Sequence, residues 1–394
     1  MTTAHTLPQS RTTGSSGSGV IPHIEDVHLS ASRVPLPDGP WGDQIHHVTD
    51  IEVTMVDVVG SNGLVGTGFS HTSGMGGATI AALVGEIIPT VIGEKVSPRG
   101  LWHSSYKYVH DVGGAGVTTH ALSALDIAYW DLLGKTLGVP LIDLLGRVRD
   151  RVPLYGSGIN LYKSVEEVVE QVERWKSLGY KAGKVKVGKA DLEEDVERLS
   201  KIREAIGSFP LAVDANQGWS YPEALRAFNR FEQFDLLWIE EPLPSEDVAG
   251  HVRLKEHTNI PIGLGENIYN VPQFAQYIEA GAVDFVQADL GRVGGITGYL
   301  DIATVARTHN LPMTPHFVLE LSATLLAAVP NISYAEVTDG GRWEELGIVS
   351  SAGTEKDGFY LPSESPGNGL EFNREYLEQH SIPLCAPGVA AEHL

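Results

Sequence analysis

Eight short apolar stretches in the second half of the chain recur at a near-regular interval, and that interval restricts the fold more than any other feature. They cover residues 152–155, 184–187, 211–215, 236–240, 260–264, 284–288, 311–314 and 332–337, with starts 21 to 32 residues apart. An all-β fold spaces its strands more closely, whereas such a gap holds one strand and one amphipathic helix. Eight β/α units that close on themselves make a (β/α)8 TIM barrel, whose chemistry lies at the C-terminal ends of its strands. A doubly wound open sheet is the competitor, but it calls for a glycine fingerprint after the first strand, and none is present. The runs Gly113-Gly114-Ala115-Gly116 and Gly291-Arg292-Val293-Gly294-Gly295 fit neither a phosphate loop nor a dinucleotide motif and read as tight turns.

Ahead of the barrel the texture differs. Residues 51–59 are β-branched and partly alternating, Gly60-Ser61-Asn62-Gly63 supplies turn chemistry, and residues 64–69 resume as a strand, which together make a hairpin. Helices are predicted over 78–92, 98–110 and 117–137, the last ended by Gly134, Gly138 and Pro140. This describes a small α+β domain. The loop at residues 35–41 is rich in proline and glycine and carries Trp41, so it reads as a surface connection or a lid. Residues 1–19, rich in Ser, Thr and Gly without an apolar block, read as a disordered tail rather than a secretory signal.

Charge excludes several partners. Fifty acidic residues against 28 basic ones give a net charge of -22, which repels nucleic acid and anionic membranes. No window is long and apolar enough to span a bilayer. Cys385 is the sole cysteine, so no intrachain disulfide can form, and a soluble cytoplasmic protein is expected. An anionic ligand then needs a local positive site.

Lys184-Val185-Lys186-Val187 offers one, because alternation in a strand brings Lys184 and Lys186 out side by side. Alone, the run reads rather as a solvated edge strand. The next strand ends change its meaning: Val213-Asp214-Ala215-Asn216, Trp238-Ile239-Glu240-Glu241-Pro242 and Leu264-Gly265-Glu266-Asn267 each deliver a carboxylate where a barrel keeps its site. Parity turns Asp214, Glu240 and Glu266 inward and sends Glu241 outward with Leu237 and Ile239. Three converging carboxylates repel one another unless a hard cation joins them, and an all-oxygen set suits Mg²⁺ better than zinc. Further on, Gln287-Ala288-Asp289 and Thr314-Pro315-His316 place an acid beside a histidine, and Glu336 follows on the last strand. A metal flanked by lysines and a His-Asp pair suits abstraction of a proton next to a carboxylate.

These motifs, in this order, resemble the mandelate racemase subgroup of the enolase superfamily, over almost the whole of residues 24–377. The resemblance implies a modified (β/α)8 barrel at about 151–350, an α+β capping domain at about 20–150, and a segment, 351–394, that returns to that domain. It implies Asp214, Glu240 and Glu266 as Mg²⁺ ligands, Lys186 as a base on one face, and Lys184 as the cation that binds the substrate carboxylate and depresses the Lys186 pKa. His316 with Asp289 would be the second acid/base, and Glu336 the acid that hydrogen-bonds a carboxylate oxygen. A homo-oligomer, commonly an octamer, is implied too, with a lid built from residues 35–41 and 69–75. Asn216, Trp41 and Tyr155 are candidate substrate contacts. The small carboxylate substrate is expected to be a sugar acid, dehydrated to a 2-keto-3-deoxy acid. The alternatives are racemisation or epimerisation of a 2-hydroxy acid, cycloisomerisation of a lactone or anhydro-sugar acid, and a non-catalytic binder of small acids. No arginine occurs in the loop at 35–41, which leans towards an aldonate over an aldarate.

Overall fold

The computed structural model describes residues 20–384; the expected tail at 1–19 and Cys385 lie outside the described residues. The capping domain begins with a three-stranded antiparallel sheet, Ile24–Pro35, Asp50–Gly60 and Val65–Ser73, with the middle strand paired to both neighbours. Its β-branched residues Val53, Val56 and Val58 are fully buried. Helices Gly77–Val91, Pro98–Val109 and Val117–Leu137 follow. The last of these lies directly on the sheet because Gly66 and Gly68 leave room: a Cβ at Gly68 would come 2.1 Å from the Ala124 carbonyl oxygen. This docking directs the far end of Val65–Ser73, with His71, towards the barrel.

The barrel strands run parallel in the order Phe285–Val286, Ile262–Leu264, Ile239–Glu240, Leu211–Asp214, Ala182–Lys186 and Val152–Ser157, with Ala335–Thr338 on the other side of Val152–Ser157. Outward side chains such as Val185, Val213, Ile239 and Ile262 pack into the main core, while Tyr155, Ala182, Ala212 and Trp238 fill the interior. The stretch expected as a strand at 311–314 is reduced to Met313, which bridges to Val286 and to Ile332 and so closes the barrel. Pro312 and Pro315 flank it, and the two missing N–H donors leave too little ladder for a strand.

After the barrel, the hairpin Thr354–Lys356 and Phe359–Leu361 pairs antiparallel with Val152 and Pro153. The chain then crosses to the capping domain. Asn368 donates its backbone N–H to Asp131 (2.8 Å), and Ile382 donates to the Ala31 carbonyl (2.9 Å). Buried Asp131 also accepts from the Thr67 N–H at 2.7 Å and from Lys135 at 2.6 Å, so one carboxylate joins three chain segments. Among the described residues no helix is long and apolar enough to cross a membrane.

Candidate active site

Lys184 and Lys186 project from Ala182–Lys186 into the barrel mouth with exposures of only 2% and 7%, so the strand is no solvated edge. Its neighbours are in register with it: Lys186 stands opposite Asp214, and Asp214 opposite Glu240. Lys186 Nζ lies 2.6 Å from Asp214 Oδ2. Lys184 Nζ bonds Glu240 Oε1 and lies 3.0 Å from Glu336 Oε1 and 3.6 Å from Asp214 Oδ2. The two lysines therefore have different partners although they share one face.

Asp214, Glu240 and Glu266 each bring an oxygen to one place, all within 4.8 Å of one another. Glu240 Oε2 is oriented by Trp238 Nε1 at 3.0 Å and Gln287 Nε2 at 2.5 Å. Burial first, and Asp214 and Glu336 after it, push the Glu240 carboxyl up to about 7 despite Lys184. Burial is the largest influence on Lys186 and opposes its charge, but Asp214 and Glu266 together outweigh it and the net direction is upward; Lys184 does act to lower it, as expected, and is overruled. Glu241 departs from the expected outward course. The strand ends at Glu240, Glu241 adopts φ 40°, and its buried carboxylate accepts from Asn267 Nδ2 at 3.0 Å beside the cluster. Strand parity does not extend past the last paired residue.

Across the mouth, His316 Nδ1 donates to Asp289 Oδ2 at 2.7 Å. The other oxygen, Oδ1, accepts from the Gly291 N–H at 2.7 Å and from His71 Nε2 at 3.2 Å. Burial disfavours the Asp289 charge, but His71, His316 and Arg292 hold its carboxyl well below the usual range. Burial likewise disfavours the His316 imidazolium, and Glu266 and Asp289 more than compensate, so its pKa rises. Glu336 Oε2 accepts the Phe317 N–H at 2.9 Å; burial opposes its charge most, but Lys184, His316 and the Phe317 N–H together bring the carboxyl down to about 2.

Lys184, Lys186, Glu266, His316 and Glu336 line one cavity of about 290 Å³, floored by the barrel and roofed by the capping domain, with Asp214, Glu240 and Asp289 held directly behind them. Its charge pattern and size fit a small anionic molecule rather than a macromolecule.

The capping region, residues 27–146, matches the family described as mandelate racemase / muconate lactonizing enzyme, N-terminal domain. Residues 167–376 match the enolase C-terminal domain-like family. The chain belongs to the mandelate racemase family of the enolase superfamily. Within that family it is 34% identical over 362 residues to the 3,6-anhydro-alpha-L-galactonate cycloisomerase of Streptomyces coelicolor, covering 91% of this chain and 99% of that one. It is 37% identical over 321 residues to the L-talarate/galactarate dehydratase of Salmonella typhimurium, covering 78% and 79%. A crystal structure of a racemase from Streptomyces coelicolor with bound magnesium superposes with a TM-score of 0.87 at 34% identity, covering 91% of this chain and all of that one.

In this family member the structure brings together Lys184, Lys186, Asp214, Asn216, Glu240, Glu266, Asp289, His316 and Glu336, and places Trp41 at the cavity wall. Tyr155 is a correction. Its ring is fully buried, packs edge-on against Trp238 at 5.5 Å, and lies beneath Lys184, one layer below the cavity. Two residues further along the same face, Ser157 is the side chain from that strand that reaches the cavity. Sequence reasoning missed Asp43, His46, His71, His120 and Arg292, all of which line the cavity. Only the Asp-x-x-His spacing of Asp43 and His46 left a local trace; the others meet through domain docking.

Proposed function

We propose that this protein is a Mg²⁺-dependent enzyme that removes the proton next to the carboxylate of a sugar acid and expels the β-hydroxyl as water, giving a 2-keto-3-deoxy acid. One observation carries the reading: Lys186 and the His316–Asp289 pair, both able to transfer protons, flank a three-carboxylate cluster, Lys186 beside Asp214 and His316 beside Glu266, at one cavity. The donor set fits a hard divalent cation, since Asp214, Glu240 and Glu266 offer only oxygen and converge on one point. When bound there, the cation supplies the positive charge that offsets the three carboxylates and the charge that builds on the substrate carboxylate.

The chain's own residues do the rest. Lys184, held beside Glu240 and Glu336, fixes the substrate carboxylate at the floor. Lys186, as free amine, takes the α-proton from one face, and its electron pair moves into the carboxylate to form an enediolate. Imidazolium His316, held in orientation by Asp289, gives its Nε2 proton to the β-hydroxyl as the C–O bond breaks. Water departs, and the resulting enol becomes the ketone. A cytoplasmic homo-oligomer completes the proposal, on the strength of the family.

A second reading, cycloisomerisation of an anhydro-sugar acid, is favoured by the Streptomyces coelicolor relative, which aligns across nearly all of both chains. It shares proton abstraction and differs in the bond that breaks afterwards. The test is incubation with Mg²⁺ and a panel of aldonates, aldarates and anhydro-aldonates. 2-Keto-3-deoxy acids indicate dehydration, and ring opening without loss of water indicates cycloisomerisation. In D₂O, deuterium entering the α-carbon on both faces without either product indicates an epimerase. Silence across the panel refutes the proposal.

A further inference from the structure

The reading above leaves the far end of the substrate open, and the roof of the cavity addresses it. The floor holds Lys184 and Lys186; the third strong cation at the cavity, Arg292, also belongs to the barrel and is already engaged. It donates to the Glu266 carbonyl at 2.8 Å and lies 3.4 Å from Asp289 Oδ2. The roof contributes Asp43, His46, His71, Thr72, Ser73 and His120 as its polar side chains, and among the described residues no lysine or arginine of the capping domain lines the cavity.

The roof histidines have fixed hydrogen positions. His71 Nε2 faces the Asp289 carboxylate at 3.2 Å and must carry the proton, so Nδ1 is left with a lone pair. Ser70 gives its single hydroxyl proton to the Gly291 carbonyl at 2.9 Å, so its oxygen accepts from His120 Nδ1 at 2.7 Å. His120 Nε2 is then a lone pair too. Burial keeps both rings neutral, lowering His71 and taking His120 down to about 3. Asp43 accepts from His46 Nδ1 at 2.9 Å; that pair sums to zero when the ring is protonated and to a negative charge when it is not. While Asp43 is ionised and both buried rings are neutral, this roof presents no net positive charge.

We infer that the substrate is a polyhydroxy monocarboxylic acid, its one carboxylate on the lysine floor and its hydroxyl-bearing far end read by His71 and His120, and that acids with a carboxylate at both ends are excluded. The inference rests on the reaction proposed above. A hydroxyl donates to an imidazole lone pair, whereas a second carboxylate brings only acceptors. Under this roof it would surrender its hydration to lone pairs and to the Asp43 charge, gaining only the neutral hydroxyls of Thr72 and Ser73 and no cationic partner.

Calorimetric titration of the Mg²⁺-loaded protein with matched acids, gluconate against glucarate and galactonate against galactarate, tests the inference. In at least one pair the aldonate is expected to bind about tenfold or more tightly than its aldarate. Ser73→Lys, which adds a cation to the roof at an exposed position, should shrink that preference about tenfold. Aldarates bound as tightly as their aldonates in both pairs, or no binding by either member of either pair, overturns the inference. An aldarate that loses water overturns it while leaving the reaction standing. Preferred aldonate binding without α-deuterium exchange upholds it while refuting the reaction.

Discussion

Gln44 reaches from the capping loop into a slot between two barrel strand ends, and filling that slot should loosen the loop without unfolding the protein. A Cβ at Gly218 would sit 2.0 Å from Gln44 Oε1, and one at Gly188 1.5 Å from Gln44 Nε2. Seated there, the amide donates to the carbonyls of Val187 (3.4 Å) and Ala215 (3.2 Å), the residues that directly follow Lys186 and Asp214. Gly218 is the better position to change, since Gly188 at φ 109° would add backbone strain of its own. In Gly218→Ala the methyl takes the place of the amide, and the flexible Gln44 side chain swings into solvent at little cost to stability. Two hydrogen bonds are lost, at about 0.5 to 1.5 kcal/mol each. The closed loop, which completes the cavity with Trp41, Asp43 and His46, then weakens by about 1 to 3 kcal/mol, or roughly 5- to 150-fold in population. KM for an accepted sugar acid should rise within that range, the loop should become more sensitive to limited proteolysis, and the melting temperature should barely move. Gln44→Ala should reproduce the effect, and the double variant should add nothing. Unchanged KM in Gly218→Ala, or additive effects, would refute the latch.

The remaining predictions concern charge. His71→Ala removes a hydrogen bond to ionised Asp289, worth about 1.5 to 3 kcal/mol, so exchange of the α-proton at the His316 face should slow roughly 10- to 150-fold with the Lys186 face less affected; His71→Gln should recover part of the loss. Conversely, Lys186→Ala should abolish exchange at its own face and spare the other, as read by stereospecific deuterium incorporation. Asp214→Asn should lose calorimetric Mg²⁺ binding, and chelation of the parent should stop turnover until Mg²⁺ returns. Glu320 is buried with Oε2 unpaired, and burial pushes its carboxyl up to about 7. The fold therefore holds a proton that the unfolded chain releases above its lower pKa, and stability from this group falls as pH rises towards 7, by at most about 1.4 kcal/mol per pH unit. Thermal melts of Glu320→Gln should show a flatter pH dependence over that window.

Strand rhythm and strand parity carried far because a barrel repeats one local rule. A run that alternates apolar and functional residues and ends in a carboxylate gives its inward face wherever it pairs, and Asp214 and Glu240 follow that rule, whereas Glu266 joins them from beyond its strand, past Gly265. The rule failed at its edges. Glu241 lies one residue past the last ladder pair, where a left-handed turn sets direction. Tyr155 has the right parity but the wrong depth, since alternation gives a face and not a layer. The stretch at 311–314 has strand composition, but its prolines remove the donors that would extend pairing beyond Met313.

By itself the sequence determined the barrel, the capping domain ahead of it and the order of the charged strand ends, because each is written in spacing and alternation over a few residues. Only the tertiary structure decided which groups share a proton or a charge. His71 and His316 meet on one carboxylate although 245 positions separate them, Gln44 finds its slot between two glycines more than 140 residues away, and Lys184 and Lys186, identical in local setting, are divided by their partners. The His71 and Gln44 pairings arise where the capping domain docks on the barrel and the lysine pairings between barrel strands, and no local pattern encodes a distance across either.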